Sequence, residues 1–482
     1  MAEKVLKGFL QVFPESVDYI KEAAGPADAP ADAPAGAPVD APVDAPADAF
    51  ADVPADTPAP VLSTYKSKSP FNFSMAGITN EGVYGQENQD TFFVWKSGVE
   101  GTFVLGVLDG HGRKMGKFAS LSATTFFKNT LAADFQRDGL AELRTTPKQY
   151  ITKLFIAAHQ AVSTMFIELY HKAGWETQIK NGVLLKRRRK YATWSLIDGG
   201  TTCTLVFVLD GHKAYVSNVG DSSSIVGGVK LNILPSNWFT EDQDPLQKAK
   251  LTAAAKSCNI GLKPIPELCE EVTANHSPEN PAEFYRVRNF GLKPSKETMA
   301  DLYFVYDSLS YSKENCVPIF SVDPTDPRKC NITNKGEYYK NVRNEWATLV
   351  STPPSAEYHN TLAFTRSLGD FNLQNYGVSN IPEIRCLDFL ECQNCPWVLS
   401  LASDGVWDNW EFVNAVKVML KPIYLEKSMK DGNSKTACKE FMEDNLKRAH
   451  ANFGNQADNM TLLLCYVYPK KRMYGKINGI AS

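Results

Sequence analysis

Five aspartates stand at the ends of apolar, strand-like runs. Asp90 precedes TFFVW, Asp109 follows FVLGVL, Asp221 closes AYVSNVGD, Asp404 follows WVLSLAS, and Asp458 comes just before MTLLLCYV. A carboxylate at the end of a buried strand is costly to desolvate unless positive charge or several donors compensate it. One such aspartate is ordinarily a turn residue or a helix cap; five in one chain point to convergence. Converging carboxylates call for a hard cation, and oxygen ligands of this kind suit Mg2+ or Mn2+ rather than zinc or copper. Calcium fits less well, because no EF-hand spacing is present. A glycine follows both Asp109 and Asp404, which lets the backbone turn sharply and leaves the Gly110 carbonyl free to face a metal. His111 comes next, close enough to donate a proton to a leaving oxygen beside that metal.

The Asp-Gly-His triplet occurs twice, and the second copy, at 210 to 212, serves as a control. It lies between TLVFV and AYVSNV, where Asp-Gly is the expected two-residue hairpin turn. The first copy leads instead toward a helix expected around 115 to 132, which puts Asp109 at a strand-to-helix mouth. The strands that must position the aspartates are expected at 103–110, 204–211, 214–221, 397–405 and 460–467. Between 148 and 171, Ile151, Leu154, Phe155, Ala158, Val162, Met165, Phe166 and Leu169 recur at steps of three and four, forming one apolar helical face. Another helix begins within 411 to 420. Strands grouped together, with helices between the groups, argue for an α+β layered domain over 70–470 rather than alternating βαβ units.

Outside that domain the composition changes. Residues 1–25 place Val5, Leu6, Phe9, Leu10, Phe13, Val17 and Ile20 near helical spacing over 3 to 23, which predicts a short amphipathic helix that docks on the domain or binds a partner. Residues 26–62 repeat a Pro-Ala-Asp-Ala theme, too poor in large apolar side chains to fold and expected to be an extended, disordered linker. The stretch at about 245–360 is proline-rich without sustained periodicity, so a long insertion with little regular structure is expected. Residues 471–482 form a basic tail. The cluster Lys186-Arg187-Arg188-Arg189-Lys190 reads as a solvated loop, with a nuclear-import signal or acidic-partner patch as its alternative.

A formal net charge of -3 over 482 residues leaves no global basic field to draw nucleic acid or acidic lipid. No apolar run is long enough to span a membrane, and the N-terminus lacks the pattern of a signal peptide. Cys392 and Cys395 form a CxxC with no second pair at zinc-finger spacing, so they read as small buried thiols. A cytoplasmic or nuclear monomer is expected.

The motifs ENQD (87 to 90), LDGHG (108 to 112), GGTTC (199 to 203), VGDSS (219 to 223), LAFTRSLGDF (362 to 371), ASDGVWD (402 to 408) and ADNMT (457 to 461) follow one another along the chain. In this order they resemble the metal-dependent protein serine/threonine phosphatases of the type-2C (PPM) family. The resemblance covers everything except the N-terminal segment and the insertion. It implies a sandwich of two antiparallel β-sheets flanked by α-helices, with metals in the channel between the sheets. By motif, Asp109 would bridge two Mg2+ or Mn2+ ions, the Gly110 carbonyl would ligate one, and Asp404 and Asp458 would complete the other site. Asp90 would hold a metal-bound water, Asp221 would contribute to a third, weaker site, and His111 would be the general acid. The implied reaction is hydrolysis of phosphoserine or phosphothreonine in a protein substrate by a water bridging the two cations, without a phosphoenzyme.

The chain departs from the family pattern in four places. Gln89 stands where glutamate often ligates a metal, which should weaken or rearrange one site. Gly85 stands where a phosphate-binding arginine is common, so that clamp is missing unless Arg113, Lys114 or a residue of the insertion replaces it. Ser223 replaces a mostly structural arginine. Finally, about 150 residues separate Asp221 from Asp370, far more than an ordinary connection, so the flap that shapes substrate access is greatly enlarged. The missing clamp and Gln89 leave a second reading open, a pseudophosphatase that binds or scaffolds without turnover.

Overall fold

The computed structural model describes Val17–Ile20 and, between 69 and 470, all residues except 189–191, 235–263, 292–301, 324, 326–328, 333–334, 394 and 432–433. The expected linker and basic tail lie outside the described residues.

Two sheets carry the architecture. One runs in the order Val17–Ile20, Phe71–Asn80, Met460–Pro469, Trp397–Ala402, Ser223–Gly228, Ile265–Glu271; the other runs Glu383–Asp388, Lys213–Val219, Cys203–Leu209, Phe103–Leu108, Thr91–Lys96. Every neighbouring pair in them is antiparallel except the first. Successive side chains of a strand point to opposite faces, and here both faces are apolar. Phe92 and Val94 join Leu399, Leu401, Leu463 and Cys465 in a core between the sheets. Phe93 and Trp95 face the other way, under the helices Gly116–Asp138 and Pro147–Lys172. On the far side Val398, Leu462 and Leu464 pack beneath Phe412–Met419 and Lys435–Phe453, where Trp410 stacks on Phe441 at 4.7 Å. The result is the expected α+β sandwich, helices outside and two antiparallel sheets within.

The periodicity at 148 to 171 corresponds to the helix Pro147–Lys172, which buries Ile151, Leu154, Phe155, Ala158, Val162 and Phe166. The second Asp-Gly-His is a hairpin turn: Asp210 and Gly211 have φ of 56° and 73°, the two left-handed residues that a type I′ turn requires. Arg144 fastens it through two hydrogen bonds to the Asp210 carboxylate, at 2.8 and 2.7 Å. Cys392 and Cys395 lie buried in the inter-sheet core.

Three expectations need correction. Val17–Ile20, the described part of the N-terminal segment, pairs as a parallel strand with Met75–Ile78 instead of continuing a helix. An open sheet edge offers unpaired N–H and C=O groups, and the sequence VDYI suits a strand better than its i, i+3 spacing suits a helix. Lys186 and Arg187 end the strand Val183–Arg187 of a hairpin rather than a loop, and Arg187 is paired with Glu176 at 2.5 Å. The insertion, in its described parts, is ordered. It contributes Ile265–Glu271 to the first sheet, a helix at Pro281–Gly291, and the antiparallel strands Tyr303–Tyr306 and Thr348–Ser351. Phe284, Val287, Phe304, Tyr306, Ile319 and Val350 give it an apolar core shared with Phe364 and Leu373. Most of those side chains fall on short strands or short helices, too brief for a sustained period to show in the sequence.

Candidate active site

Strand pairing explains why the aspartates meet. Thr91 pairs with Leu108, so Asp90 and Asp109 lie side by side at one end of the second sheet. Ala402 pairs with Leu462, which brings Asp404 and Asp458 together at an end of the first sheet. Asp221 sits in the turn by which the chain passes from Lys213–Val219 in one sheet to Ser223–Gly228 in the other. Gly405 makes the approach close: a Cβ there would lie 2.0 Å from the Asn459 carbonyl oxygen. Asn459 accepts a hydrogen bond from the Gln89 N–H at 2.8 Å, and the Ser403 hydroxyl donates to Asp90 Oδ2 at 2.8 Å.

The cluster is short of positive charge. Asp90 is 2% exposed, and the buried oxygens Asp90 Oδ1, Asp221 Oδ1 and Asp404 Oδ1 have no hydrogen-bond partner. Burial first, and the neighbouring carboxylates next, push the Asp109 and Asp404 carboxyls up. Burial likewise raises Asp90 to about 6 against two lowering hydroxyl contacts, and Asp221 to about 6 with Asp404 adding to it. Asp458 reaches solvent, yet the protein around it and Asp90 still raise its carboxyl. Unsatisfied buried carboxylate oxygens of this kind are a donor set for a hard cation. Among the described residues no three His, Cys, Asp or Glu side chains are arranged so that they could hold a metal ion as they stand, so the fit rests on donor chemistry and burial.

A further, smaller sheet binds three motifs together. Gly110 and His111 pair with Thr201 and Gly200, and these pair in turn with Leu368 and Gly369. Next in the chain is Asp370, 3% exposed and held at φ 46°, a strained setting for a residue with a Cβ. Its Oδ2 meets His111 Nε2 at 2.8 Å, while His111 Nδ1 is buried without a partner and the ring stands edge-on to Phe364. Burial disfavours the imidazolium, but the Asp370 charge and hydrogen bond outweigh it and raise the His111 pKa. The space at Gly110 is tight, with Gly116 and Gln89 carbonyl oxygens 2.3 and 2.6 Å from where a Cβ would be. Gln89, with its amide nitrogen turned to the carbonyls, donates to Gly110 O at 2.9 Å and Gly112 O at 3.2 Å. In place of a carboxylate the chain therefore has an amide that holds the loop carrying Asp109.

Five of the sequence-picked residues, Asp90, Asp109, Asp221, Asp404 and Asp458, are thus brought together, with Gly110 and His111 beside them. Arg113 and Lys114 are not in the cluster: both side chains are exposed in the turn before the helix Gly116–Asp138. Two further side chains stand beside the cluster without having been singled out in the sequence. Asp370 lay in a quoted motif, and an aspartate after the short run SLG was its signal. Lys340 of the insertion places Nζ 3.8 Å from Asp221 Oδ2, and nothing in its local sequence marks it.

The protein phosphatase 2C family model matches residues 347–452, which hold two of the seven motifs. A curated relative, a probable protein phosphatase 2C 38 from Oryza sativa subsp. japonica, is 24% identical over 365 residues, or 71% of this chain and 59% of that protein. The chain therefore spans about three-fifths of that relative's length. Among solved structures, a serine-threonine phosphatase 2C from Toxoplasma gondii is 17% identical, covering 83% of this chain and 96% of its own, with a TM-score of 0.48. A serine/threonine phosphatase from Mycobacterium tuberculosis is 12% identical, covering 82% and 97%, with a TM-score of 0.37.

Proposed function

We propose that this chain is a phosphatase of the type-2C (PPM) family and hydrolyses phosphoserine or phosphothreonine in proteins, a reading supported by the family match over residues 347–452 and the 24% identical relative. Asp109, the Gly110 carbonyl, Asp404 and Asp458 would hold two divalent cations, Mg2+ or Mn2+, with Asp90 and Asp221 in support. The carrying observation is the group of three buried carboxylate oxygens without partners, drawn from separate strand ends and set beside an oriented histidine. Divalent cations bound there would supply an activated water and neutralise charge on phosphoryl oxygens.

The protein's own part is positioning and proton transfer. Asp370 accepts from His111 Nε2 and fixes the ring, which leaves Nδ1 as the atom that gives a proton to the departing serine or threonine oxygen. The strand pairs Gly110–Thr201 and His111–Gly200 hold that donor in register with Asp109. Arg113, exposed two positions beyond His111, is the side chain we assign to the substrate phosphate. The substrate is a phosphorylated protein, met in the cytoplasm or nucleus by a monomer; no helix among the described residues is long and apolar enough to cross a membrane.

The test is hydrolysis of a phosphothreonine peptide with Mn2+ or Mg2+ by the wild type and by Asp404→Ala. Metal-dependent turnover in the wild type and a loss of about a hundredfold or more in the variant are expected. A folded wild type without turnover would leave the pseudophosphatase reading, which Gly85 in place of the phosphate-binding arginine and Gln89 in place of glutamate favour.

A further inference from the structure

The insertion reaches the carboxylate cluster through one short hairpin. Tyr339 and Trp346 bridge its two sides and stack at 4.0 Å, and the Lys340 N–H donates to Glu345 O at 2.7 Å. The tip is fastened to the ASDGVWD motif. The Val342 N–H donates to Asp408 O at 3.1 Å, and Asn341 Nδ2 donates to Asp408 Oδ1 at 3.1 Å. The Arg343 guanidinium donates to the Trp407 and Trp410 carbonyls and lies 4.7 Å over the Phe412 ring. This anchoring points the Lys340 ammonium into the cluster, where Asp221, Asp408, Glu345 and Asp404 all act on it and its side chain is 23% exposed.

We propose that Lys340 is a tethered cation, which neutralises the Asp221–Asp404–Asp408 side of the cluster in place of a third divalent ion. The proposal rests on the two-metal reading above. A long lysine would lose conformational freedom by being held here, and three separate anchors on one tip offset that loss. Asp221 gains a cation that chelators cannot remove, while Asp90, Asp109 and Asp458 keep their need for metal. The enlarged insertion then does more than cover substrate: it completes the charge of the site from within the chain.

The experiment is a direct count of bound Mn2+ on the full chain, reading free ion by electron paramagnetic resonance during titration, for the wild type, Lys340→Gln and Lys340→Arg. The wild type and K340R are expected to saturate at about two ions, and K340Q to take up one more. A second measurement is the rise in thermal midpoint on adding Mn2+, expected to be larger in K340Q than in the wild type, because the apo variant has lost its internal cation. Equal stoichiometry and equal shifts in the wild type and K340Q, with Mn2+ still bound, would overturn the tethered-cation role alone. A wild type that binds three ions would do the same. A wild type that binds none would overturn the metal reading on which it stands.

Discussion

Glu283 offers the sharpest test of how the insertion is held to the site. Its side chain is 3% exposed and accepts from Arg366 Nη2 at 2.5 Å, Arg286 Nε at 2.9 Å and the Thr365 hydroxyl at 2.6 Å. Burial alone would raise its carboxyl, but the two guanidiniums win and hold it far below its usual 4.5. Thr365 and Arg366 lead directly to Asp370, so the clamp ties the insertion helix to the strand that orients His111. Glu283→Ala strands two half-buried guanidiniums, and removing one partner of a fully buried pair costs about 3–5 kcal/mol, so a loss of about 2–3 kcal/mol is expected. Glu283→Gln keeps the shape and loses the charge, so a cost of about 1.5–3 kcal/mol is expected. Because the folded carboxyl is depressed, its stabilisation is complete above pH 4.5 and lost as pH falls below it. The gap between the wild type and E283Q in urea unfolding should therefore be full at pH 7 and narrow toward pH 3. An E283A protein within about 0.5 kcal/mol of the wild type at pH 7 would refute the clamp.

Three further outcomes are expected. Gly405→Ala puts a Cβ 2.0 Å from the Asn459 carbonyl oxygen; the strain of about 1–3 kcal/mol should separate Asp404 from Asp458 and weaken Mn2+ binding, which calorimetric titration would read. Arg144→Ala removes the two hydrogen bonds to Asp210 and should cost about 1 kcal/mol in urea unfolding, while peptide hydrolysis stays within about twofold if the second Asp-Gly-His is purely structural. His276 is 1% exposed, and burial, then Arg366, lowers its pKa from 6.5 to about 3. A proton is then bound preferentially by the unfolded chain, so this term is harmless above pH 6.5 and destabilises by about 2 kcal/mol at pH 5. Comparing unfolding of the wild type and His276→Gln at the two pH values reads that difference directly.

What the sequence made legible divides along a physical line. The strands and the helix 147–172 could be read because each is local: its apolar residues repeat at a period that one segment contains. The aspartates could be read because a carboxylate at a strand end is anomalous wherever it occurs. Their meeting was an inference, and it holds because Thr91–Leu108 and Ala402–Leu462 pairing converts distant strand ends into neighbours. Lys340 was illegible for the opposite reason. A lysine in a polar, proline-rich stretch is unremarkable, and only the hairpin closed by Tyr339 and Trp346, fixed to Asp408 and Trp407 far along the chain, turns it inward. The same holds for Glu283, an ordinary helix glutamate until Arg366 folds over it. Local anomalies identify the groups that need compensation, and long-range packing decides what supplies it. In this chain the supply on the Asp221 side comes from the segment with the least sequence pattern, so deleting the insertion should alter the metal requirement of the site as well as access to it.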